Sequence, residues 1–200
     1  MMQMAKAEQT GGRSKSVELT ERVLNAAEEL LRKDGFAGLK VEQVAAIVGC
    51  GKTAIYRRWA TKEELVAAVL LKDTEVGELP NSGSLAEDLL IHMKQGASYR
   101  GFTQPDGEGR SIWAALVEPA VRRLVDDALL SERRANGRTI LARAIQRGEI
   151  PPETDLDAVL DMLGGFVFYR TMARREKLTE EVMARVARAV AASPPLYPNA

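Results

Sequence analysis

"AIVGCGKTAIYRRW", residues 46–59, decides how the rest of the chain is read. Gly51-Lys52-Thr53 supplies the second half of a phosphate-cradling loop, G-x-x-x-x-G-K-[ST]. Taken instead as a tight turn and the start of a short helix, the same residues offer cations and hydroxyls to a DNA groove. The question is whether the phosphates belong to a nucleotide or to a duplex, and the flanking sequence answers it.

A nucleotide loop fails on three counts. Ala46 stands where the first glycine of the pattern belongs. Such a loop follows a buried strand, but Val41, Val44, Ala45 and Val48 recur at helical spacing. No alternation of strands and helices follows, as a doubly wound sheet requires. A possible metal-binding acid, Asp161, lies in "DAVLDML", which again reads as helix.

DNA recognition needs two short helices joined by a tight turn, the second presenting donors outward. Gly49-Cys50-Gly51 is a suitable turn. On the helix after it, Ile55 and Trp59 are four apart and point inward. Thr53, Tyr56 and Arg57 then point out, flanked by Lys52 and Arg58. Cations serve phosphates and guanine edges, and Tyr and Thr add hydroxyls on the same surface. Lys62, in the first turn of the next helix, is poorly placed for the helix dipole but well placed to grip a phosphate. The bland alternative is a solvated basic face on a structural helix, with Tyr56 packing at its rim.

The totals fit a partner touched at one place. Formal net charge is zero over 200 residues, yet no acid falls between Gly49 and Lys62, a span that holds Lys52, Arg57, Arg58 and Lys62. A hydrophobic fraction of 46% can fill a core. No apolar run approaches the ~18 residues of a membrane span, and the polar start lacks the apolar middle of a secretion signal. The single cysteine, Cys50, forms no internal disulfide and reads as packing, with a redox sensor as the alternative, so a cytoplasmic location is expected.

The whole chain reads as all-α, because strand alternation never lasts and helical spacing is everywhere. Residues 1–16 read as a flexible tail, 17–79 as a DNA-binding head and 80–200 as a C-terminal domain. The first helix carries Val23, Leu24, Ala27, Leu30 and Leu31 inward and ends at Gly35. Thr61-Lys62-Glu63-Glu64 is a capping box opening the fourth helix. Further helices are expected from Leu85 towards Phe102, between Arg110 and Arg147 with a break near Pro119, from Asp155 to about Arg175, and from Thr179 to about Ala192. Pro194 and Pro195 are expected to close the structured part.

Residues 20–70 resemble the DNA-binding domain of the tetracycline-repressor (TetR/AcrR) family. The text that carries the resemblance is "VLNAAEELLRKDGFAGLKVEQVAAIVGCGKTAIYRRWATKEELV", with Ala26-Ala27, Gly35-Phe36, Val44-Ala45, Gly49, Ile55-Tyr56 and Lys62-Glu63 as signposts. "LARAIQRGEIPPETDLDAVLDMLGGFVFYRTM" looks like the turn and first dimer helix of many members. The resemblance implies a three-helix helix-turn-helix head, a homodimer on a near-palindromic double-stranded operator, and a small-molecule pocket in each C-terminal domain. It places Lys52, Thr53, Tyr56 and Arg58 on DNA and Lys62 on a phosphate, with Arg57 added on geometry. Lys40 stands where members usually carry a Ser or Thr; it cannot cap the second helix but can reach a phosphate.

For an effector pocket the candidates are His92, Met93, Tyr99, Trp113, Met162 and Phe166, a mixture that favours an apolar or aromatic ligand. Each is more often plain core than a ligand contact. For the dimer, Val159, Met162, Leu163 and Phe166 form one stripe, with Gly164-Gly165 permitting close approach, and Val182, Val186, Ala189 and Val190 form another. The competing assignment is that both stripes close the monomer's own core. No cofactor, metal or membrane partner is expected. One His, one Cys and no metal-ligand spacing argue against an enzyme. A ligand-released repressor is the expected function; a constitutive dimeric regulator or an activator is the alternative.

Overall fold

The computed structural model describes residues 4–98 and 112–197, with side chains described from Ser16 onward and Met172's side chain excepted. Among these residues the regular elements are helices, joined by turns and loops, with one isolated antiparallel bridge between Thr154 and Leu196. The described residues fall into two compact units. One combines the chain up to Lys72 with a later segment ending at Leu124; the other takes Asp73 onward and everything from Val125.

The first unit begins with α1 (Met4–Gly38). It runs back through residues assigned above to a tail. At Gly35 the backbone turns out of helix, with φ 71°, a left-handed value that glycine adopts without a side-chain clash. α2 (Val41–Val48) stops at Gly49, also at φ 71°. There Cys50 N–H donates back to Ala45 O at 3.0 Å, which satisfies an end carbonyl and reverses the chain. α3 (Lys52–Tyr56) follows at once, and α4 (Lys62–Leu71) completes the head.

Apolar spacing determines how these helices seat. Val23, Ala27 and Leu31 of α1, Val41, Val44 and Val48 of α2, Ile55 of α3 and Leu65, Val66 and Leu70 of α4 are all buried. α1 packs on α2 and α4, and a 3₁₀ segment, Ile112–Val117, packs on α1 and α4. Thr61 Oγ1 accepts from Glu64 N–H at 3.1 Å, as the capping box requires. Glu64 answers one residue earlier than usual, accepting from Ala60 N–H at 2.7 Å. Lys40 makes no side-chain cap on α2.

In the second unit, α5 (Leu85–Ala97) packs on α9 (Glu180–Ala192), α7 (Ser131–Gln146) and α8 (Leu156–Phe168). α6 (Pro119–Val125), which belongs to the first unit up to Leu124, leads through a π-helical turn, Asp126–Leu130, into α7, and the expected break at Pro119 is present. The core joins Leu85, Leu89 and Met93 to Ile140, Leu141, Val159, Leu163, Met183 and Val190. Asp155 and Thr179 cap α8 and α9 through Ala158 N–H and Val182 N–H. The prolines do not end the structure: Asp155 N–H donates to Pro195 O at 2.9 Å, and Tyr197 N–H to Glu153 O at 3.0 Å. Proline lacks the N–H for a helix but keeps its carbonyl, so the tail folds back as an extended strap.

Candidate nucleic-acid interface

α3 is only five residues long, too short to persist by its own backbone bonds. Ile55, 1% exposed, anchors it from beneath. That register turns Lys52, Thr53, Tyr56 and Arg57 to solvent, and Tyr56 remains 44% exposed despite its ring. Trp59 is half-buried at the edge of the head, as its inward spacing implied. Lys40 is exposed at the start of α2.

The cations differ in what else they touch. Lys52 Nζ pairs with Glu42 Oε1 at 3.0 Å. Glu42 is held below the ordinary carboxylate range, first by a backbone N–H bond and then by Lys52. Lys62 Nζ stands 4.1 Å from the centroid of the Phe36 ring, a cation–π contact that orients the ammonium without neutralising it. Arg57 is exposed. Arg58 is not: its guanidinium donates to Thr20 Oγ1 at 3.1 Å, Ser16 Oγ at 3.0 Å and Ala54 O at 2.8 Å. Arg58 is thus spent on acceptors of α1 and α3, whereas Lys52 meets a single exposed carboxylate. Spacing put Arg58 beside the recognition face but could not reveal acceptors some forty residues earlier.

The residues expected to line a pocket lie on several elements. His92 and Met93 are buried on α5. Trp113 is buried in the other unit, on the 3₁₀ segment that packs with α1 and α4. Met162 is 50% exposed on α8, and Phe166 is partly buried against the core. Tyr99 lies outside the described residues. His92 Nδ1 has no hydrogen-bond partner, and burial, then the nearby Arg133 charge, lowers its pKa to about 4. Asp88, one turn earlier and fully buried, accepts from Ser82 N–H and Ser82 Oγ, each at 2.7 Å. The sequence reading missed Asp88, which gives no outward sign of burial.

The expected dimer stripe also divides. Val159, Leu163 and Val190 lie in the unit's own core, so they are not free to meet a second copy. Val182 and Val186 are half-buried, and Ala189 is exposed. The outward face of α8 instead carries Met162, Gly165 and Phe168, continuing to Tyr169, with the last two 47% and 59% exposed. α8 is apolar on two sides, and periodicity alone cannot say which side the monomer keeps. Among the described residues, no group of three metal-ligating side chains converges, and no helix is long and apolar enough to cross a membrane.

Residues 23–69 match the description "Bacterial regulatory proteins, tetR family", and residues 79–190 match "Tetracyclin repressor-like, C-terminal domain". An uncharacterised helix-turn-helix transcriptional regulator of Mycobacterium tuberculosis (strain ATCC 25618 / H37Rv) is 31% identical over 159 residues, 77% of this chain and 76% of that one. The DNA-binding transcriptional repressor TetR of Mycobacteroides abscessus is 29% identical over 154 residues, 74% of this chain and 79% of that one. Among solved structures, AibR in complex with isovaleryl coenzyme A and operator DNA superposes with a TM-score of 0.59 at 17% identity, over 89% of this chain and all of that one.

Proposed function

The chain belongs to the tetR family of bacterial regulatory proteins, DNA-binding transcriptional regulators and not enzymes, and we propose that it is a repressor released from its operator by a small apolar or aromatic effector. The observation that carries this is the seating of α3. Ile55 fixes the helix from below, and Lys52, Thr53, Tyr56 and Arg57 face outward together. Thr53, Tyr56 and Arg57 reach base edges and adjoining phosphates in the major groove, while Lys40, Lys52 and Lys62 take phosphates.

Two such heads read a near-palindromic operator if the protein is a two-fold dimer, with half-sites about 34–36 Å apart. The exposed α8 face of Met162, Gly165, Phe168 and Tyr169 supports that dimer, with the less covered side of α9 around Ala189 as its second element. An effector releases DNA only if it binds more tightly to the arrangement of heads that does not fit the operator. The largely apolar interior of the second unit supports an apolar effector.

The test is selection of bound genomic fragments by the full-length protein, followed by a screen for compounds that release them. Acyl-coenzyme A thioesters belong in that screen because a protein of the same fold is solved with one. Enrichment of an inverted repeat and its release by an apolar compound is the expected result. Enrichment without release by any compound makes the protein a constitutive regulator; no enrichment removes the DNA-binding assignment itself.

A further inference from the structure

Arg58 holds the recognition helix in place and does not grip the operator, and this we infer from where its donors go. Nη1 donates to Ala54 O inside α3, at 2.8 Å. Nε donates to Thr20 Oγ1 at 3.1 Å, and Nη2 to Ser16 Oγ at 3.0 Å and Ser16 O at 3.5 Å, all on α1. Thr20 is itself fixed, since its hydroxyl donates to Ser16 O at 2.9 Å. The planar fork is therefore filled by α1 on one side and by α3 on the other. No carboxylate pairs with Arg58 among the described residues, so what the contact supplies is shape.

A second guanidinium makes the same kind of link in reverse. Arg22 of α1 donates from Nη2 to Val48 O, an end carbonyl of α2. α1 thus holds the end of each helix of the helix-turn-helix, α2 through Arg22 and α3 through Arg58. For α3 the need is acute: one buried side chain, Ile55, fixes its depth but not its rotation about that point. Arg58 supplies the second anchor, one turn further on. Rotation of a five-residue helix by a few tens of degrees moves Thr53 and Tyr56 off their bases, so the anchor sets which sequence is read.

This rests on α3 being the DNA-reading element, and the experiment separates the two. A duplex is recovered from random-sequence DNA with full-length parent. Affinity for that duplex and for a scrambled one is then measured across 50–200 mM salt. A lost phosphate contact shallows the slope of log K against log salt by about 0.9. A lost positioning contact lowers preference for the selected duplex and leaves the slope unchanged.

The variants are Arg58→Ala, Arg58→Lys and the double change Ser16→Ala/Thr20→Val, which keeps the arginine but removes the side chains that hold it. Each is expected to lose about tenfold in preference for the selected duplex, the scale of a hydrogen bond to a charged group, at the parent's slope. Lysine does not rescue, because one ammonium cannot span acceptors on two helices, whereas it rescues a simple phosphate grip. The inference is overturned if the double variant keeps the parent's preference, or if Arg58→Ala shallows the slope by about 0.9. Should Arg58→Ala fail to fold, the double variant, altered at the exposed edge of α1, still decides. If the parent itself selects no duplex, the DNA-reading role of α3 fails, and this inference falls with it.

Discussion

Lys52 Nζ lies 3.0 Å from Glu42 Oε1 across the turn of the helix-turn-helix, with both side chains more than half exposed. In solution such a pair contributes little to stability, about 0–1 kcal/mol. On DNA it matters differently, because the carboxylate competes with phosphate for the same ammonium. Glu42→Gln is therefore expected to raise affinity for duplexes of any sequence by up to roughly fivefold at low salt, within that energy range. The salt slope should steepen, because Lys52 then displaces a counterion from the duplex. Titration of labelled duplex at several salt concentrations reads both quantities. Unchanged affinity would place Lys52 away from the DNA.

Tyr56 remains 44% exposed on the outward side of α3, while Ile55 beside it is buried. Tyr56→Ala should weaken binding to a selected duplex about tenfold or more, as loss of a hydroxyl contact and its apolar footing implies. Melting of the free protein should move by no more than about 0.5 kcal/mol, as for an exposed surface site. The opposite pattern, a lower melting temperature with intact DNA binding, would make Tyr56 a packing residue of the rim.

How far these features can be read without coordinates depends on how local their causes are. Helix ends at Gly35 and Gly49, the Thr61 cap and the inward register of Ile55 were all legible, because each follows from neighbours within four residues. The ties of Arg58 to Ser16 and Thr20 were not, because they span 42 and 38 residues and involve acceptors that look like ordinary helix surface. Trp113 lies within the 79–190 stretch of the C-terminal family match, yet it packs in the unit that contains the head, which position along the chain does not reveal. Val159 and Leu163 share an apolar helix with Met162, and spacing alone could not tell the monomer's side from the open one.

His92 gives stability a pH dependence of known sign. Burial, then the charge of Arg133, lowers its pKa from 6.5 to about 4. Above the unfolded value both states are neutral, and His92 contributes no slope. As pH falls from about 6.5 towards 4, the unfolded chain takes up a proton that the folded chain refuses, so stability is lost through that window. The loss is of order 3 kcal/mol and flattens below the folded pKa. Denaturant melts between pH 7 and pH 4 should show it, and His92→Met should remove that share of the slope. An identical profile in the variant would mean that His92 opens to solvent in the native state.

Leu163 and Phe168 face opposite ways on α8, one 2% and the other 47% exposed, and they should fail differently. Leu163→Ala removes methyl groups from the core and should cost about 2–4 kcal/mol of folding stability. Phe168→Glu leaves the core alone but puts a carboxylate on the face of Met162, Gly165 and Tyr169. An added Cβ at Gly165 meets nothing within 4 Å, so this face is open to a close partner helix. A charge buried there without a counterion costs far more than the aromatic contact it replaces. Sedimentation should therefore find Phe168→Glu monomeric, with unchanged helical signal, at concentrations where the parent is a dimer. Its binding to an inverted repeat should fall much more than its binding to a single half-site. A Phe168→Glu protein that still sediments as a dimer would move the interface off this face of α8.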